Sequence, residues 1–138
     1  MNRTYIYTIP GPPPTKKNSQ QIVRAGKGGR PFIIPSHKYV SYEATASYFL
    51  SPKPPEPIDY PVNVRCEYYM PTRRRVDLSN LMEATHDVMV KYRILADDNR
   101  DVVAGVDGSR VYYDKDNPRV EITVTPLPDY KKWKDKED

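Results

Sequence analysis

Stretches in which apolar residues recur at every second position alternate along this chain with stretches in which they recur at helical spacing. These are the signatures of half-buried strands and amphipathic helices. Residues 4–9 (TYIYTI) predict a first strand, which the run from Pro10 to Pro14 ends because proline has no N–H for a sheet ladder. After Pro35, Ser36 supplies a helix cap, and HKYVSYEATASYFL repeats apolar residues at Val40, Ala44 and Tyr48 and at Ala46, Phe49 and Leu50. Pro52 closes that helix. The stretch VNVRCEYYM then sets Val62, Val64, Cys66, Tyr68 and Met70 on one side of a strand that Pro71 terminates. From Leu78 to about Leu95 the pattern is helical again, through Leu81, Ala84, Val88, Lys91 and Leu95, with Val90 and Ile94 widening the apolar side. Two strands follow, over residues 101–113 (DVVAGVDGSRVYY) and 119–125 (RVEITVT), joined by the turn residues DKDNP.

The resulting order is β-α-β-α-β-β, which predicts a single α/β domain with a mixed sheet and helices packed on it. At 138 residues the chain suits one domain, placed here at residues 1–128. Residues 129–138 (DYKKWKDKED) form a charged, solvated tail containing Trp133. Two segments fall outside the regular pattern. SPKPPEPIDYP (residues 51–61) is a proline-rich connector. TKKNSQQIVRAGKGGRPFII carries Lys16, Lys17, Arg24, Lys27 and Arg30 around a glycine-rich tip, and fits a hairpin between QQIVR and RPFII. That hairpin reads equally as a basic arm tracking a phosphate backbone and as a solvated surface feature.

Composition sharpens this picture in a few respects. Mean hydropathy is −0.78 and the chain holds fifteen prolines, so loops are generous and the core is compact. A net charge of +4 favours an anionic partner without defining one. Cys66 is the single cysteine, which excludes an internal disulfide and suits a reducing compartment; with only His37 and His86 beside it, a Cys/His zinc site is disfavoured. No apolar stretch approaches the length of a membrane span, and MNRTYIYTIPGPPP lacks the apolar core of a signal peptide, so a cytoplasmic protein with no membrane partner is expected.

The chemistry is concentrated after the strand that ends at Met70. Arg73, Arg74 and Arg75 lead into a helix, and Asp77, Glu83, Asp87, Asp97, Asp98 and Asp101 follow in a chain that is otherwise net positive. Carboxylate oxygens suit a hard cation such as Mg²⁺, which polarises a phosphate and activates water, while arginines neutralise neighbouring phosphates. Glu83 and Asp87 are four residues apart and share a helix face, whereas Asp98 has to return through the tertiary fold to meet Asp77. Simpler roles exist for the same residues. Asp77 suits a helix N-cap, Asn80-Leu81-Met82-Glu83 fits a capping box, and Asp97-Asp98-Asn99 is an ordinary turn.

The segments PGPPPTKKN (from Pro10) and MPTRRRVDLSNL (from Met70), Asp87 upstream of the Asp97-Asp98 pair, and the closing strand pair resemble the RusA family of Holliday junction resolvases, often encoded by phages and prophages. The resemblance runs over roughly residues 4–126 and centres on a motif similar to R-R-R-x-D-L-D-N. It implies an endonuclease dependent on Mg²⁺, with Mn²⁺ as a substitute, that works as a homodimer and makes paired nicks in four-way DNA junctions. Asp77 and Asn80 match the motif, Asp87 matches the helix aspartate, and Asp97 with Asp98 match the later pair, whose second member is the implied metal ligand. Ser79 stands where the family has its second motif aspartate, and Glu83 where a lysine is often found.

One carboxylate is thus lost at position 79 and one gained at 83, which points to Glu83 as a relocated ligand. The implied metal ligands are Asp77, Glu83 and Asp98, with Asp97 and Asp87 holding waters or orienting ligands. Lys16, Lys17, Arg73, Arg74 and Arg75 are the implied DNA contacts. Lys91, Arg75, Lys16 and Lys17 are candidates for the missing catalytic cation, and Tyr39, Tyr42, Tyr68 and Tyr69 for stacking on unpaired bases. The competing readings are a non-catalytic protein that binds branched DNA through a decayed site, and an acidic-loop interaction protein with no nucleic-acid role.

Overall fold

The computed structural model describes residues 3–15, 20–24 and 28–130. Along the chain it contains β1 (Tyr5–Pro10), β2 (Gln20–Arg24), β3 (Pro31–Pro35), α1 (His37–Phe49), β4 (Val62–Met70), α2 (Leu78–Lys91), β5 (Val103–Gly105), β6 (Arg110–Tyr113) and β7 (Arg119–Pro126). Strands β1, β7 and β4 lie side by side and antiparallel, and β5 and β6 both pair in parallel with β4 along its other side. This is a five-stranded mixed sheet, with β2 and β3 forming a separate antiparallel hairpin.

The alternation of β4 sets the two faces. Val62, Val64, Cys66 and Tyr68 are completely buried, while Asn63, Glu67 and Tyr69 are partly exposed and Arg65 is exposed. Val120, Ile122 and Val124 of β7 and Tyr5, Tyr7 and Ile9 of β1 continue the dry face, and Leu81, Val88 and Met89 of α2 pack into the same core. Burial pushes the Cys66 thiol up to about 12, which makes it an inert core group, as its position in the strand predicts. A hydrogen-bond chain ties the sheet to α2. The Thr85 hydroxyl uses its only hydrogen on the Leu81 carbonyl at 2.9 Å, so the buried Tyr68 hydroxyl is the donor in the 2.7 Å bond to Thr85.

Three expectations change. The stretch 101–113 is not one strand: the chain turns between β5 and β6, with Gly108 at φ 86 and the Ser109 N–H donating to the Val106 carbonyl. Asn63 holds that turn, accepting from the Asp107 N–H and donating to its carbonyl. In α1, Ser36 caps as expected by accepting from the Tyr39 N–H, but Val40, Tyr48 and Phe49 are exposed. Ala46 and Leu50 are buried as their spacing predicts, and Tyr42, four residues before Ala46, and Tyr39, seven before it, lie on that face of the helix and are buried with them. The proline-rich connector is pinned at its one aliphatic residue: the Ile58 N–H donates to the Ile94 carbonyl, the Ile58 carbonyl accepts from the Ala96 N–H, and Ile58 is buried.

Replacing Thr85 by Val removes the oxygen acceptor of the Tyr68 hydroxyl while keeping side-chain shape, and is expected to cost about 1–3 kcal/mol in urea denaturation. Adding Tyr68→Phe to that variant removes the orphaned hydroxyl and is expected to recover most of the loss, giving a coupling readable in a double-mutant cycle.

Candidate active site

Met70 ends β4, and Pro71 prevents the strand from continuing. The exposed arginines 73–75 carry the chain to Asp77, the N-cap of α2. The Asp77 backbone is extended and its carbonyl accepts from the N–H groups of Asn80 and Leu81, as a cap residue should. Its carboxylate does not cap; it is exposed and accepts from the Asn80 side-chain amide at 3.3 Å. The capping-box reading is therefore set aside, because Asn80 lies inside the helix and not at its cap. Asp77 keeps its negative charge turned to solvent at a helix N-terminus, with Asn80 limiting its orientation.

A second device delivers Asp97 and Asp98. Helix α2 ends at Lys91, short of Leu95, because Arg93 adopts the left-handed conformation at φ 67. The Arg93 N–H then returns to the Val90 carbonyl and the Ile94 N–H to the Met89 carbonyl, a Schellman closure whose apolar partners Met89 and Ile94 are both completely buried. Ile94 and Ala96 next bond Ile58, and the chain enters the acidic turn from a fixed direction. Within the turn, Asp97 Oδ1 accepts from the Asp98 N–H at 2.7 Å and Asp97 Oδ2 from the Asn99 amide at 3.2 Å, while Asn99 Oδ1 accepts from the Asp101 N–H. Asp97 spends both carboxylate oxygens on the shape of the turn. The exposed Asp98 carboxylate takes no part in that bonding.

His86 feels the charges of both Asp98 and Asp87. Burial lowers the His86 pKa, and the charges of Asp98 and then Asp87 oppose that shift, so loop and helix carboxylates both lie within electrostatic reach of one imidazole. Glu83 is exposed on α2. Among the described residues, no three or more His, Cys, Asp or Glu side chains are grouped closely enough to hold a metal ion. The donor chemistry still fits Mg²⁺, which commonly takes only one or two protein carboxylates and completes its shell with water and substrate phosphate. Asp77 and Asp98 offer such oxygens on the surface: Asp77 accepts the Asn80 amide at one oxygen, and Asp98 takes no part in the bonding of its turn.

Several other assignments are refined by the structure. Lys16, Lys17 and Trp133 lie outside the described residues. Lys91 is committed to Glu43 of α1 at 3.0 Å, which weakens its candidacy as a catalytic cation. Of the four tyrosines considered for base stacking, Tyr39, Tyr42 and Tyr68 are buried, and Tyr69 alone keeps partial exposure. Sequence reasoning overlooked His86, Asn63 and the aromatic cluster of β6. Only the Arg-Val-Tyr-Tyr composition of that strand offered a signal.

A family model described as Endodeoxyribonuclease RusA matches residues 10–125, a span that includes the arginine run, Asp77 and the acidic turn, and the chain belongs to that family of nucleases. It is also similar to the crossover junction endodeoxyribonuclease RusA of Aquifex aeolicus (strain VF5), with 30% identity over 96 residues, covering 69% of this chain and 70% of that protein. No helix among the described residues is long and apolar enough to cross a membrane.

Arg93 occupies a backbone conformation that a Cβ disfavours by about 1–2 kcal/mol. Arg93→Gly is expected to stabilise the protein by about 0.5–1 kcal/mol once the greater freedom of glycine in the unfolded chain is counted, measured as a higher urea midpoint at unchanged slope.

Proposed function

We propose that this chain is a structure-selective endonuclease that resolves four-way DNA junctions by paired hydrolysis of phosphodiester bonds, acting as a homodimer. The observation that carries the reading is the family match across residues 10–125, which includes the RRRVD segment and the Asp97-Asp98 turn. The relative from Aquifex aeolicus is itself named for crossover junctions. In this reading residues 1–128 are the nuclease domain and residues 129–138 an appended charged tail. A two-fold dimer suits a junction because each active site meets one of two symmetry-related strands.

Asp77, Glu83 and Asp98 would hold one or two Mg²⁺ ions, or Mn²⁺ in their place, each ion taking one or two carboxylates and completing its shell with water and phosphate. The ion supplies Lewis-acid polarisation of the phosphate and a lowered pKa for the attacking water. The protein's own residues position the reaction. Asn80 orients Asp77, and Asp97 fixes the turn that presents Asp98. Asp87, whose charge is felt at the same imidazole as that of Asp98, serves as the orienting carboxylate. The exposed Arg73, Arg74 and Arg75 bind phosphates next to the scissile bond, together with Lys16 and Lys17, giving affinity that falls with salt and carries little base readout. With Ser79 in place of a motif carboxylate, Glu83 is the residue that restores the ligand count.

Ser79 also motivates the second reading, a branched-DNA-binding protein without cleavage, and one assay separates the two. A labelled synthetic junction incubated with the protein and Mg²⁺ is expected to be nicked on opposed strands, with a linear duplex left intact and EDTA abolishing the reaction. Asp77→Asn and Glu83→Gln are each expected to lower the single-turnover rate by about a hundredfold or more. Full activity in Glu83→Gln beside an inactive Asp77→Asn would refute the ligand role of Glu83. Junction binding without nicking under any divalent metal would establish the non-catalytic reading.

A further inference from the structure

Register places three side chains at one level on neighbouring strands of the sheet face turned away from the helices. Arg119 of β7 is opposite Tyr69 of β4, and Tyr69 is opposite Tyr112 of β6. They form a stack. The Arg119 guanidinium carbon lies 3.8 Å from the Tyr69 ring centroid, and the Tyr69 and Tyr112 rings are 5.1 Å apart at 24°. The inner end is rigid, because Arg119 donates to Glu121 at 2.7 Å, to Asp114 at 3.0 Å and to the Asn117 carbonyl at 2.8 Å.

The outer end is not covered by any further described strand. Strand β6 pairs with β4 alone, and every residue from Arg110 to Tyr113 is exposed, with Tyr112 at 40% and Tyr113 at 43%. Core packing does not account for two tyrosines left so open on a sheet edge. A cation accompanies each: Arg110 is two residues from Tyr112 and on the same sheet face, and on the opposite face the Arg73 guanidinium carbon lies 4.3 Å from the Tyr113 ring centroid. Arg73 belongs to the run that leads into Asp77, so this edge adjoins the candidate active site.

We propose that the β6 edge is a base-stacking platform, on which an unpaired nucleobase of branched DNA extends the Arg119–Tyr69–Tyr112 stack across the outer face of Tyr112, while Arg110 on the same face takes the flanking phosphate. The proposal rests on the junction-nuclease reading and gives it a surface for structure selectivity. A base inside a continuous duplex has both faces occupied by its neighbours; a base at a branch point has a face to offer. Aromatic stacking accepts any base, so the platform distinguishes branched from linear DNA without reading sequence. The continuous stack, capped by a guanidinium at its inner end and open at an aromatic ring with Arg110 beside it, suits a flat nucleobase better than a second copy of this chain.

The test is junction binding with 2-aminopurine at the branch point, comparing the full-length protein with Tyr112→Phe, Tyr112→Leu and Tyr112→Ala. The wild type and Tyr112→Phe are expected to bind alike and to quench the fluorophore. Tyr112→Leu, which keeps apolar bulk on the strand, and Tyr112→Ala are expected to bind the junction about tenfold more weakly, lose the quenching, and retain duplex affinity and melting temperature. Arg110→Gln is expected to lower the salt slope of junction binding by about one. Unchanged junction affinity and quenching in Tyr112→Leu would overturn the platform, as would equal losses in Tyr112→Phe. Loss of self-association in Tyr112→Leu would overturn it in favour of a contact between copies. A wild-type protein that shows no preference for junction over duplex would instead refute the junction-nuclease reading itself.

Discussion

The register of β4 is the constraint from which the rest of the molecule follows. The strand lies between antiparallel β7 and the parallel pair β5 and β6, and its even-numbered residues from Val62 to Tyr68 are completely buried. A slip of one residue would carry Arg65 and Glu67 into the space those side chains fill, where burying charge is far more costly than any local gain. The bond from Tyr68 to Thr85 then fixes α2 against the strand. Because the register is fixed, so is the point where the strand stops. Met70, Pro71, the arginines and Asp77 are laid out from that point, and the position of the candidate site is a consequence of core packing several residues upstream.

Around the acids, the work is divided between paired residues. At the start of α2, Asp77 uses its backbone carbonyl to cap the helix while Asn80 steadies its carboxylate. In the acidic turn, Asp97 shapes the backbone and Asp98 keeps its oxygens out of that bonding. In the turn one residue satisfies the fold and its neighbour stays out of it, whereas Asp77 caps through its backbone and keeps its carboxylate on the surface. A site assembled this way depends less on a dense cluster of acids than on which carboxylates the backbone leaves unemployed.

Much of this was legible in the residues. The alternation of VNVRCEYYM gives β4 without error, Ser36 caps α1, and the helical spacing of Leu81, Ala84 and Val88 matches the buried face of α2. Failures arose where local pattern underdetermined tertiary choice. In α1 apolar and aromatic residues lie on more than one face, so spacing alone could not tell that Tyr39 and Tyr42 would be buried and Val40 and Tyr48 exposed. The end of α2 depends on Arg93 accepting a left-handed backbone, which no glycine announces. Asp107-Gly108 did carry a turn signal, but the β-rich residues around it masked the break between β5 and β6. For the site, Asp77 and the acidic turn were readable as motif residues; the proximity of Asp87 and Asp98 to His86, and the alignment of Arg119, Tyr69 and Tyr112, exist only once the strands and the α2 turn are in place.

The division of the 101–113 segment has a consequence for solubility. An unbroken strand there would present a long row of unpaired backbone donors and acceptors, a template on which another chain's strand could add. The turn at Gly108 instead leaves β5 with three residues and β6 with four along that side of the sheet. Short, interrupted edges are poor templates for intermolecular pairing. The molecule can therefore carry exposed aromatic side chains on its margin while resisting the strand-by-strand polymerisation that such a margin otherwise invites.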